Sequence, residues 1–215
     1  MNIEVIALVA QNGGAETSVS IELSDGIHTE LQKHTILTKQ YAALRIKKGE
    51  INTERYEEIA RAADICTAYK KGLSLLSYSS SSQKNLHYKL KSRGFSDEIA
   101  SEAIEMLISE RYVDEESSCT REAQRCIQKL WGKKRIVSHL YTKGFDQKAV
   151  ANALDELQNV DYVENCKRLL LRDHKRQIKA IKEDSSQLSK LIASLYRMGY
   201  SFSEIKSAVA DILNE

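Results

Sequence analysis

The sequence contains no proline, only 9 glycines and a single tryptophan among its 215 residues. Average usage would place about ten prolines in a chain of this length. Their absence excludes proline-rich linkers, polyproline ligand segments and turns built on a cis-proline. Because both strong helix breakers are scarce or missing, the composition favours a mainly helical protein.

Long apolar runs are also missing. No stretch approaches the roughly 18 uncharged apolar residues of a transmembrane helix. Met1–Ala10 has neither the basic start nor the cleavage site of a signal peptide. The 4 cysteines form no C-x-x-C pair and have no histidine at zinc-ligand spacing. We therefore expect a cytoplasmic protein, away from membranes, with reduced and mostly buried thiols. The cysteines are Cys66, Cys119, Cys126 and Cys166.

Catalytic signatures are absent as well. The glycines form neither a G-x-G-x-x-G nor a P-loop spacing, and the 5 histidines lie far apart without an H-E-x-x-H frame. Asp114, Glu115 and Glu116 stand together, but at the start of a predicted helix, where negative charge complements the helix dipole. The sequence therefore predicts neither an enzyme nor a metal or cofactor site.

Charge is sorted along the chain, although the net charge is only +2. Residues 83–94, 129–148 and 164–182 are rich in lysine and arginine, whereas residues 97–122 are mostly acidic. Such blocks predict separate basic and acidic surfaces on one protein.

The first fifty residues have the pattern of a small antiparallel sheet. Asp25-Gly26 is a strong hairpin signal between apolar runs of β-branched character. The pattern predicts about three strands, then a short helix over His34–Leu44 and a turn at Lys47–Gly49. The predicted strands are Ile3–Val9, Thr17–Leu23 and Ile27–Leu31.

From Thr53 onward the apolar residues recur every three or four positions, which predicts one long helix that fades into Ser79–Ser82. The chain then repeats itself around three glycines at spacings of 50 and 55: Gly94, Gly144 and Gly199. Leucine or isoleucine precedes each glycine by eight and by four positions, and an aromatic residue follows it at once. The pattern indicates a helix that ends at a left-handed glycine.

The residue two positions after each glycine predicts the start of the next helix, because serine and aspartate are good N-caps. These residues are Ser96, Asp146 and Ser201. A third helix is predicted to start after Asp114 or Asn165. No such unit buries its apolar face alone, so the sequence predicts an elongated, curved array of three-helix, helix-turn-helix-like repeats behind the N-terminal β segment.

The predicted organisation has five parts. They are a β-rich segment over 1–50, a long helix with a serine-rich junction over 52–82, helical repeats over 83–132 and 133–182, and a partial repeat over 183–215.

The basic blocks form a candidate binding face. Lysines and arginines recur at equivalent places in successive repeats with tyrosines between them, a pattern that suits a phosphate backbone or an acidic protein filament. Trp131 is interpreted as a packing residue at a helix junction. The candidate residues are Lys84, Lys89, Lys91, Arg93, Lys133, Lys134, Arg135, Lys143, Arg168, Arg172, Lys175 and Arg176.

The repeat signature resembles the RecX family of regulators of the RecA recombinase. It consists of L-x-x-K-L-x-x-R-G-F at Leu86–Phe95, then Tyr112–Glu115, the basic junction Lys133–Ile136 and a second copy at His139–Phe145. The resemblance implies a non-enzymatic protein that binds the RecA filament on single-stranded DNA and contacts that DNA directly or through RecA. It further implies inhibition of the ATPase, strand-exchange and coprotease activities of RecA. We also expect the protein to be a monomer.

Two other functions remain open from the residues alone. The basic blocks are equally compatible with a nucleic-acid-binding module that acts without RecA. The repeats are also compatible with a scaffold that recognises another protein through a concave face.

Overall fold

The computed structural model describes residues 2–79, 81–174, 178 and 186–214. The chain is mainly helical behind a small antiparallel sheet, which confirms the predicted fold class. It divides into two compact units, Met1–Ser80 with Asn85–Val113, and Ser81–Lys84 with Asp114–Glu215. Within the described ranges, no helix has the length and apolar character needed to span a bilayer.

The sheet has four antiparallel strands in the order β3-β2-β1-β4. Their bounds are β1 (Asn2–Gln11), β2 (Glu16–Ser24), β3 (Thr29–Leu37) and β4 (Gly49–Glu50). A bulge between Val5 and Ala7 interrupts the register of β1 and β2. The hairpin signal is confirmed, because the Asp25 carboxylate accepts hydrogen bonds from the amides of Ile27 and His28 at 2.8 and 2.7 Å.

Two predictions in this region are wrong. The helix expected over His34–Leu44 begins later, as α1 (Thr38–Leu44), because β3 continues to Leu37 and places Ile36 in the core. Gly49, expected in a turn, pairs with Val5 and forms the fourth strand. In both cases pairing with a distant strand overrides the local pattern.

The long helix α2 (Thr53–Tyr78) is confirmed, and the Asn52 side chain caps it by accepting a hydrogen bond from the Arg55 amide at 2.8 Å. Its first half covers the sheet through Ile59, Ala62 and Ala63. Its second half shares a core with α3 (Gln83–Lys91) and α4 (Asp97–Ser109). Members of that core include Cys66, Tyr69, Leu86, Leu90, Ala103 and Leu107.

The second unit contains two further cores, each shared by three of the described helices. One core joins α5 (Glu115–Gln128), α6 (Lys133–Thr142) and α7 (Gln147–Glu156). The other joins α8 (Tyr162–Asp173), α9 (Ser186–Arg197) and α10 (Phe202–Asn214). These cores group the helices as α2–α4, α5–α7 and α8–α10. The repeats predicted at 83–132, 133–182 and 183–215 begin with α3, α6 and α9, each one helix later than these groups. The predicted domain boundaries stay a prediction.

The local chemistry of the repeat is confirmed. Gly94, Gly144 and Gly199 have φ values of +92°, +83° and +94°. The caps at Ser96 and Asp146 accept hydrogen bonds from the amide three residues on, and Ser201 forms a reciprocal capping box with Glu204.

The start of the third helix is confirmed in one repeat and wrong in the other. Asp114 caps α5 as predicted, whereas α8 begins at Tyr162 and not after Asn165. The carboxylate of Asp161 accepts a hydrogen bond from the Glu164 amide at 2.9 Å and so caps α8 four residues earlier than expected.

Candidate nucleic-acid interface

The turn between α5 and α6 is fixed by the backbone of the turn between α9 and α10. The Gly132 amide donates to the Met198 carbonyl at 2.9 Å, and the Lys134 amide donates to the Gly199 carbonyl at 3.1 Å. The buried hydroxyl of Tyr200 donates to the Leu130 carbonyl at 2.8 Å. The first turn of α6 is therefore held in place largely by main-chain contacts. Of its side chains, Lys133 and Lys134 are exposed, whereas the half-buried Arg135 guanidinium donates to the Met198 sulfur at 2.7 Å.

Leu130 itself has a left-handed backbone, with φ of +58°, although it is not a glycine. Such a conformation costs about 1 kcal/mol or more and persists only where the surroundings enforce it. Its side chain is 4% exposed and belongs to the core of α8–α10. This burial, with the Tyr200 hydrogen bond, offsets the cost and sets the direction in which α6 begins.

Cationic and aromatic side chains gather around this turn. The Arg135 guanidinium lies 4.1 Å from the centroid of the Trp131 ring, and the Lys134 ammonium lies 5.0 Å from that of Tyr196. Both distances are typical of cation–π contacts. We call the set the basic–aromatic surface. It comprises Lys129, Trp131, Lys133, Lys134, Arg135 and Tyr196.

The positive charge on this surface is opposite in sign to the charge that the N-terminus of a helix favours. Lys133, Lys134 and Arg135 occupy the first turn of α6, which contains no acidic residue. The N-terminus of a helix carries partial positive charge and favours anions by about 0.3–1 kcal/mol each. Lys133 and Lys134 are exposed, so packing does not require them either. The arrangement therefore favours an external anion at this end of α6.

The other predicted contact residues are arranged differently. On α3, Lys84 is exposed and Lys89 is half-buried. Lys91 forms an ion pair with Asp97 at 2.6 Å, and this pairing lowers the pKa of the Asp97 carboxyl. The Arg93 guanidinium donates to the Lys89 carbonyl at 2.7 Å. Two of these basic groups are thus engaged with their own neighbours, which reduces their availability for a partner.

The remaining predicted residues lie in the second unit. Lys143 is exposed at the end of α6. On α8, Arg168 is exposed, and Arg172 forms a two-point ion pair with the adjacent Asp173 at 2.7 and 2.8 Å. Lys175 and Arg176 lie outside the described residues. The structure thus brings together Lys133, Lys134 and Arg135 within one helical turn.

Three members of the basic–aromatic surface are not among the contact residues predicted from the sequence: Lys129, Trp131 and Tyr196. Trp131 does pack as predicted, because it is half-buried against the α5–α7 core. Its ring also meets His139 edge-on at 5.1 Å and carries the Arg135 contact. The alternation of basic residues with Trp131 along residues 129–135 is the signal that points to this role.

The four cysteines are buried and free, as predicted. Burial raises the pKa of Cys126 to about 11 and that of Cys119 to about 12. At pH 8 only about one Cys126 thiol in a thousand is therefore ionised.

We expect an aromatic disulfide reagent to leave the thiols of the native protein almost unmodified at pH 8. All four should react within seconds once the chain is unfolded, because unfolding restores ordinary thiol pKa values and access. Absorbance of the released thiolate measures both rates. Fast modification of even one thiol per native chain would contradict the buried assignment.

The chain is similar to known proteins over almost its whole length. Residues 68–107 match the family model described as RecX, first three-helix domain. That segment begins within the second half of α2 and includes α3 and most of α4, the helices that share the first core. The chain is 27% identical over 213 residues to "Regulatory protein RecX" of Clostridioides difficile strain 630, covering 98% of this chain and 96% of that protein. It is 27% identical over 146 residues to the protein of the same name from Vibrio cholerae O395, covering 68% and 93%.

Two solved structures share the fold. One is described as the crystal structure of regulatory protein RecX, with a TM-score of 0.74, 21% identity and coverage of 95% of this chain and 98% of that one. The other is RecX from Lactobacillus salivarius, with a TM-score of 0.62, 23% identity and coverage of 72% and 99%.

Proposed function

Because the chain belongs to the RecX family, we propose that it regulates RecA by binding RecA filaments on single-stranded DNA and inhibiting filament activity. The inhibited activities would be ATP hydrolysis, strand exchange and coprotease function. The relatives bear the name of a regulatory protein, and we propose a binding role, as a monomer, with no reaction catalysed.

The basic–aromatic surface is the observation that carries this proposal. Three consecutive cations at the α6 N-terminus suit the phosphates of a nucleic-acid backbone. Trp131 and Tyr196 add aromatic groups of the kind on which unpaired bases or arginine side chains stack. A surface with both elements fits a filament in which single-stranded DNA and protein are exposed side by side.

The test is the rate of ATP hydrolysis by RecA on single-stranded DNA as the purified chain is added. We expect the rate to fall with increasing concentration and to approach its DNA-free level at saturation, because loss of filament removes the activated RecA. A rate that stays constant at several-fold excess over filament sites would overturn the proposal.

A second candidate function is binding of single-stranded DNA without RecA, which the same cations favour. If Lys133, Lys134 and Arg135 each neutralise one phosphate, the logarithm of the binding constant should fall with the logarithm of salt concentration with a slope of about −2. Fluorescence anisotropy of a labelled oligonucleotide at several salt concentrations measures this slope. If the chain does not bind the oligonucleotide, or binds it independently of salt, the result would contradict DNA binding without RecA and favour the RecA-dependent function.

A further inference from the structure

Three side chains with different donor atoms converge where α5 packs against α6. They are the carboxylate of Glu122, the thiol of Cys126 and the imidazole of His139, and their donor atoms all lie within 4.8 Å of one another. We propose that this Glu–Cys–His cluster binds a divalent transition-metal ion of the zinc class. This site is separate from the proposed action on RecA and does not depend on it.

The helices place the donors without strain. Glu122 and Cys126 are four residues apart on α5 and so share one face of the helix. His139 reaches the same point from α6, with its Nε2 atom 2.8 Å from Oε1 of Glu122. Zinc bonds of about 2.0–2.3 Å in a tetrahedral site place neighbouring donors about 3.5 Å apart. The most distant donors therefore need to approach by about 1 Å, which rotation of side chains can supply.

The donor set selects the class of metal. A thiolate with an imidazole suits zinc and similar ions, whereas magnesium and calcium require oxygen ligands. The deprotonated Cys126 and Glu122 carry two negative charges, which balance a divalent cation. Burial raises the pKa of the Glu122 carboxyl, but the hydrogen bond with His139 lowers it, as do the neighbouring charge of Lys143 and the hydrogen bond from Arg125, and the net shift is downward.

Binding rearranges two protons in a defined way. The Cys126 thiol loses its proton to solvent as the sulfur coordinates the metal. The His139 ring then carries its proton on Nδ1, so that the Nε2 lone pair faces the metal and no longer serves the hydrogen bond with Glu122. Because the thiol proton is released when the metal binds, affinity should fall as the pH is lowered.

The site is open on one side. The side chains of Glu122 and His139 are 16% and 24% exposed, while Cys126 is fully buried. Three protein ligands leave a fourth position for water or for an anion. Because His139 contacts Trp131, a bound metal would also fix the orientation of the ring that supports the basic–aromatic surface.

Cobalt(II) is a suitable probe, because a cobalt–thiolate bond gives a charge-transfer absorption that carboxylate or imidazole ligands do not produce. We expect the untagged full-length chain to bind one cobalt ion with this absorption and to lose it when zinc is added. Saturating zinc should also raise the melting temperature by on the order of 5 °C, since a ligand that binds only the folded state stabilises it.

Cys126→Ser should abolish the absorption. Cys119→Ser is the matched control, because Cys119 is equally buried on the same helix seven residues earlier, and it should bind cobalt as the wild type does. His139→Gln gives a second test, with folding of each variant checked by circular dichroism, and it should weaken binding at least tenfold. Absence of the thiolate band in the wild type, or its equal loss in Cys119→Ser, would overturn the proposal.

Discussion

Replacement of Gly199 by alanine is expected to lower the free energy of unfolding of the second unit by about 4 kcal/mol. A Cβ atom at this position would lie 2.4 Å from the Arg135 amide nitrogen and 2.5 Å from the Arg135 Cβ. These are atoms of a packed helix, so neither can rotate out of the way. The left-handed backbone, with φ of +94°, adds its own cost for any residue with a side chain.

Gly94→Ala is the matched control for this prediction. Gly94 occupies the equivalent repeat position with φ of +92°, yet a Cβ there meets nothing within 4 Å. Gly94→Ala should therefore lower the free energy of unfolding by only about 1 kcal/mol, which is the cost of placing alanine in a left-handed backbone conformation. Far-ultraviolet circular dichroism reports unfolding of both units, whereas Trp131, the single tryptophan, lies in the second unit and reports on the Gly199 variant only. Equal destabilisation by the two substitutions would contradict the close approach of the two turns.

The second large effect concerns binding. The double substitution Lys133→Glu and Lys134→Glu is expected to weaken binding to RecA–DNA filaments roughly 100-fold, because each exposed contact of about 1 kcal/mol becomes a repulsion. The folded state should be no less stable, since acidic residues suit the first turn of α6 better than lysines do. Loss of the cation–π contact between Lys134 and Tyr196 destabilises the folded state. The favourable interaction of the new glutamates with the helix dipole stabilises it by about the same amount.

The control for charge is Lys47→Glu with Lys48→Glu, which changes the net charge equally at exposed positions of the first unit. Co-sedimentation with preformed filaments measures binding, and thermal unfolding measures stability. If both double variants weaken binding alike, the effect is one of overall charge and the basic–aromatic surface is not the contact.

The repeat could be predicted from sequence because its determinants are local. Left-handed Gly94, Gly144 and Gly199 end one helix, and capping side chains within a few residues start the next. The same holds for α2, whose cap and apolar period are contained in one continuous segment. Such features depend on neighbours along the chain, and they are confirmed where the structure describes them.

Features that depend on distant partners could not be predicted in this way. β4 consists of two residues and exists only because Gly49 and Glu50 pair with β1. β3 extends to Leu37 because its register with β2 carries Ile36 into the core. The basic–aromatic surface follows the same rule, because Tyr196 meets Lys134 only after the backbone of Gly199 has docked on α6. Basic residues in the sequence indicate charge, and the fold decides which of them lie together.

The most direct test of the account is ATP hydrolysis by RecA on single-stranded DNA, titrated in parallel with the wild type and both double variants. We expect the wild type and Lys47→Glu/Lys48→Glu to suppress hydrolysis at similar concentrations. Lys133→Glu/Lys134→Glu should require roughly 100-fold more protein. Unchanged hydrolysis at several-fold excess of the wild type, or suppression by the α6 variant at the wild-type concentration, would contradict it.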